Sequence, residues 1–202
     1  MTNLKTSRSI RSLAVSALLM VCAGAASAHS DAAGMAGGFM SGFFHPLLGW
    51  DHVIAMVAVG LWGAFLGMPA LWLLPVVFPL VMTVGGALGV MGVPLPAVET
   101  GIALSAVALG AVVAAALRPP LWVAAVLVGV FAIFHGHAHG TELPNAADPV
   151  AYSLGFVMAT GLLHLAGIAL GLVTRWPAGI TAVRAVGAGI AVGGLGFLFH
   201  AW

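Results

Sequence analysis

Residues 120–142 read PLWVAAVLVGVFAIFHGHAHGTE. No charged side chain occurs from Pro120 to Phe134, and then three histidines and a glutamate follow in quick succession. An apolar run of about 20 residues is what an α-helix needs to cross a bilayer core. Imidazole and carboxylate groups are costly beside lipid, so those of His135, His137, His139 and Glu142 are expected to face a protein interior and to bind something. A second cluster, HPLLGWDH at 45–52, holds His45, Asp51 and His52 at the end of another apolar run. Imidazole with carboxylate and without thiol points to a divalent transition metal.

The rest of the chain fits this reading. It has 202 residues, 62% of them hydrophobic and 5% charged, with eight histidines against five acids and six basic residues. Its mean hydropathy is +1.16. Soluble domains carry roughly 25% charged residues, so this is the composition of a polytopic membrane protein. A formal net charge of +1, with few and dispersed basic residues, leaves no footprint for nucleic acid. The N-terminus reads as a cleaved signal peptide over 1–28: Lys5, Arg8 and Arg11, then apolar Leu13 to Ala25, then the small-residue site Ala26-Ser27-Ala28. His29 then begins the mature chain. The single cysteine, Cys22, leaves with the signal, which removes disulfides, thiolate metal sites and cysteine nucleophiles from consideration.

Six apolar segments are predicted in the mature domain, 29–202, at about 45–66, 71–91, 98–117, 120–140, 149–173 and 179–200. Residues 29–42, small and Gly-rich, read as a short mobile lead-in. The expected fold is therefore all-α: six transmembrane helices with both mature termini periplasmic, in a bacterial inner membrane. Under that topology Arg118, Arg175 and Arg184 fall on the cytoplasmic side, and Asp31, Glu99, Glu142 and Asp148 on the outer side, as the positive-inside rule requires. Gly63/Gly67, Gly85/Gly89, Gly167/Gly171 and Gly189/Gly193 have the spacing of helix-packing surfaces. A homo-oligomer is compatible with such surfaces.

Helical spacing divides the histidines. His45 and His52 are seven apart and so share a face of the first predicted span; Asp51 could join them from the side or orient an imidazole. His135 and His139 are four apart, with Glu142 three further on, and His137 points nearly opposite. Gly136 and Gly140 could loosen the helix end and bring carbonyls to the site. His164, near the middle of the fifth segment, and His200 are read as hydrogen-bond partners between helices, with His164 also a candidate step on an inward path. Glu99 is either a carboxylate at the mouth or a solvated loop residue. His29 with Asp31 could capture an ion, although a flexible tail is the simpler reading. Asp148, before Pro149, has the position of a helix cap. Met56, Met82 and Met158 are read as core packing and most tryptophans as interfacial aromatics.

The two motifs, His45…Asp51-His52 and Phe134-His135-Gly136-His137-Ala138-His139-Gly140-Thr141-Glu142, resemble the HupE/UreJ family of membrane nickel or cobalt permeases. The resemblance extends to the signal and the six spans, and so to essentially the whole chain. It implies a permease rather than an enzyme: uptake of Ni2+, with Co2+ as the other substrate, supplying hydrogenase or urease maturation proteins, with no cofactor of its own. Carried over by position, it implies His45, Asp51, His52, His135, His139 and Glu142 as transport residues. Neutral imidazole is the ligating form, so uptake should fail as pH falls through about 6.5. From the residues alone a membrane metalloenzyme, a haem protein using the same histidines, or a metal sensor or storage protein also stand. The HExxH motif of a zinc hydrolase does not occur, and a Soret band would reveal haem.

Overall fold

A computed structural model describes residues 35–143, 148–176 and 178–199. The expected signal peptide, His29, Asp31 and His200 lie outside these residues. The described chain is helical: α1 (Met35–Leu48), α2 (Trp50–Leu66), α3 (Ala70–Val90), α4 (Val98–Ala114), α5 (Leu121–Glu142), α6 (Pro149–Gly171, continued by a 3-10 turn Leu172–Arg175) and α7 (Gly179–Leu198). Ala70–Val90, Leu121–Thr141, Pro149–Arg175 and Gly179–Leu198 are long and apolar enough to cross a membrane. Gly37–Leu48 and Trp50–Leu66 pass the same test as a pair, and Val98–Ala114 is apolar but shorter. The surface agrees: Leu80, Val84, Val126, Leu154 and Leu162 are all at least 50% exposed, whereas His135 and Ser105 are fully buried. Apolar side chains facing out and polar ones facing in suit lipid, not water.

Two expectations are corrected at the N-terminal side. The predicted first span, 45–66, is not one helix: the chain bends by 83° between α1 and α2. Gly49, with φ −92° and ψ 107°, leaves the helical region and caps α2, its carbonyl accepting from Val53 N–H. Pro46 lies within α1, and the N–H missing from its ring already weakens the ladder there. The supposed mobile lead-in is helical from Met35 onward. A smaller correction concerns the third segment, which ends at Ala114 and not near 117, because Ala116 turns left-handed (φ 56°) ahead of Pro119 and Pro120.

The helices associate mainly in three closely packed pairs, α3 with α5, α4 with α7 and α2 with α6, while α1 lies on α6. Small residues permit this. A Cβ on Gly136 or Gly140 would collide with the Met82 or Gly86 carbonyl on α3, and one on Gly167 with the Val57 carbonyl on α2. Close backbone approach through glycine is how membrane helices gain dispersion contacts where no hydrophobic drive acts between them. Gly136 and Gly140 thus seat α5 on α3 within an unbroken helix instead of loosening it. The end bearing the arginines is tied by polar contacts: Arg184 Nε donates to the Ala114 carbonyl (2.7 Å), Trp62 Nε1 donates to Leu117 (3.3 Å), and Arg118 lies 4.7 Å over the Phe65 ring. Trp62 is therefore a core residue, unlike the exposed Trp50, Trp72, Trp122 and Trp176. At the opposite end Asp148 caps α6 as expected, accepting from Val150 N–H (2.9 Å) and Ala151 N–H (3.1 Å).

Candidate metal centre

At that opposite end, imidazoles from three helices meet. The bend at Gly49 places His45 on α1, so the shared-face argument for His45 and His52 does not hold. Both rings nevertheless reach one partner on α5: the His139 ring centroid is 4.9 Å from that of His45 and 4.6 Å from that of His52. His135, one turn deeper, is 4.9 Å from His52. Four of the predicted histidines are thus brought together. The rings meet at angles of 84°, 54° and 88°, and among the described residues no three His, Asp or Glu side chains already surround one ion position. Holding an ion here requires ring rotation.

The nitrogens are held by specific partners. Asp51 Oδ1 accepts from both the backbone N–H of His52 (2.9 Å) and its ring Nδ1–H (2.8 Å). A carboxylate only accepts, so the proton sits on Nδ1 and Nε2 keeps the lone pair. That Nε2 is buried without a hydrogen-bond partner, as are Nδ1 of His135 and both ring nitrogens of His139. Buried polar atoms are ordinarily paired, so four open positions in one cluster mark it as built for something other than packing. Gly49 leaves the space this needs: a Cβ there would stand 3.0 Å from Asp51 Oδ1 and 3.1 Å from His52 Nδ1.

The remaining candidates separate. His137 points away from the cluster, as expected, and is buried: its Nε2 donates to the Val93 carbonyl (2.7 Å), anchoring the α3–α4 connection. Glu99 is exposed in the first turn of α4, where a carboxylate complements the helix dipole. Glu142 ends α5, and its side chain is outside the described set. His164 lies deeper, with Phe78 between it and the cluster: the Phe78 ring is 5.5 Å from His135 and 5.4 Å from His164. The His164 ring approaches the Pro75 carbonyl without closing a hydrogen bond. That carbonyl is the one deprived of a helical donor by Pro79, which lies four residues on. Met56 and Met82 pack in the core as expected, whereas Met158 is 47% exposed. A cavity of about 270 Å³ reaches His139 from the level of Leu143 and Pro149, between α3, α5 and α6. Sequence spacing missed Ser105 and Phe78, because each touches the histidines across helices and neither carries a ligand-type motif.

Apolar helices around a buried file of imidazoles define a helical multi-pass membrane protein with a polar site in its interior. A profile of the family described as HupE / UreJ protein matches residues 17–197, and the chain belongs to that family. Protein HupE of Rhizobium leguminosarum bv. viciae is 44% identical over 171 residues, covering 85% of this chain and 90% of that protein. No solved structure matches the chain.

Proposed function

We propose that the protein is a permease that takes up a divalent transition metal, Ni2+ or Co2+, from the periplasm, through six spans and the imidazole cluster, for hydrogenase or urease maturation. The observation that carries this is the set of unpartnered ring nitrogens on His52, His135 and His139, gathered with His45 at the end of the bundle opposite the arginines. Family membership supports the choice of nickel or cobalt, since imidazole by itself also suits zinc and copper. In this reading the cation enters from the acidic outer side and exchanges water for His45, His52 and His139. Asp51, and Glu142 at the end of α5, offset its charge. It then passes His135 and the Phe78 ring towards His164 and the Pro75 carbonyl. Phe78 is fully buried between the two imidazole levels and separates them sterically.

Uptake of radiolabelled Ni2+ and Co2+ into proteoliposomes, with and without a proton gradient, tests the reading. Unchanged uptake after His52→Ala would overturn it. Asp51→Asn keeps the volume but removes the carboxylate that accepts from His52 Nδ1–H and orients the ring. Losing such an outer partner typically costs 10–100-fold, so the uptake rate should fall by at least about tenfold while the yield of folded protein is unchanged.

A further inference from the structure

Ser105 lies in the middle of α4, fully buried, and beyond Glu99 and Thr100 in the first turn it is the one side chain of that helix that is neither apolar nor glycine. Its Oγ is 2.6 Å from the Ile102 carbonyl and 2.9 Å from His135 Nε2. A carbonyl can only accept, so the single hydroxyl proton goes to Ile102. The hydroxyl oxygen then has only lone pairs to offer, and Nε2 must carry the proton shared with it. A neutral imidazole has one N–H, so the lone pair of His135 resides on Nδ1, which is buried and has no hydrogen-bond partner. This is the opposite tautomer from His52, where Asp51 takes Nδ1–H and leaves Nε2 open.

We propose that Ser105 is a positioning residue: it locks His135 as the Nε2–H tautomer and so makes Nδ1 the nitrogen offered to the cation. This rests on reading the cluster as a cation site. The two devices differ in strength. A carboxylate behind His52 makes its ring a stronger donor, whereas a neutral hydroxyl behind His135 orients without adding charge. The deeper ligand is therefore the weaker of the two, as suits a cation that must move on.

The test uses the full chain, 15N-labelled at histidine and reconstituted without metal at neutral pH, with His135→Asn identifying the His135 signals. The expected wild-type spectrum shows a protonated Nε2 and an unprotonated Nδ1. Ser105→Ala, with helicity and detergent size matching wild type, should show both tautomers and bind Ni2+ about tenfold more weakly. A wild-type ring protonated on Nδ1, a Ser105→Ala spectrum with the tautomer unchanged, or a lost tautomer with Ni2+ affinity unchanged would each overturn the proposal. The wild-type spectrum decides the first point whether or not the variant folds. Wild-type protein that binds no Ni2+ overturns the cation reading itself, a failure told apart because the tautomer is measured without metal.

Discussion

His139→Leu is expected to abolish metal uptake and, at the same time, to make the protein more stable. Both ring nitrogens of His139 are buried without hydrogen-bond partners, against Phe156 with centroids 4.3 Å apart. A buried unsatisfied polar group costs about 1–3 kcal/mol, and an apolar side chain of similar volume does not incur that cost. Thermal unfolding in detergent should therefore shift upward by the equivalent of about 1 kcal/mol, while Ni2+ uptake falls to the level of empty liposomes. The opposing signs are what identify a site retained for function against stability. A lower melting temperature with uptake preserved would show His139 to be a packing residue. This variant also removes the ring that both His45 and His52 contact, so the loss should exceed that of Asp51→Asn.

The second large effect is expected far from any ligand atom. Gly136 lies between His135 and His137, and its Cα seats directly on the Met82 carbonyl of α3. Any Cβ there must part α3 from α5, and Leu adds three more carbons. Overpacking of this kind costs on the order of 3 kcal/mol, here with no flexible neighbour to yield, because the obstacle is backbone. Gly136→Leu should fold in low yield, and the fraction that folds should have lost uptake, since His135 and His139 ride on the displaced helix. Gly129→Leu provides the comparison: its nearest neighbours are Val81 methyls at 3.8 and 4.0 Å, so it should fold and transport far better. Equal yields for the two would contradict the packing argument.

What the sequence revealed and what it concealed follow from the physics of local and non-local patterns. The long apolar runs showed the helices, because length and hydropathy are local properties. The four-residue step from His135 to His139 placed both on one face of a continuous helix. The seven-residue step from His45 to His52 misled, because it presumed a helix that Gly49 breaks; the two rings share His139 as a partner only because α1 folds back over α6. His137 was legible as pointing elsewhere, but its carbonyl partner at Val93 was not. Ser105 was invisible for the same reason: 30 residues separate it from His135, and only the packing of α4 on α5 joins them. Gly136 and Gly140 looked like flexible points in the motif and prove to be the seats of a rigid pair.

The helices that carry the imidazoles belong to different pairs. His135 and His139 ride with α3 and α5, His52 and His164 with α2 and α6, and Ser105 with α4 and α7. Within each pair, glycine seating leaves little freedom to slide; between pairs, the ring contacts and one hydroxyl span the seam. A cation gripped by His52 and His139 would rivet two such blocks together, and letting it go would mean undoing the rivet. In the proposed permease, cargo and hinge pin would be one object: an ion in transit would also decide when the blocks could shift.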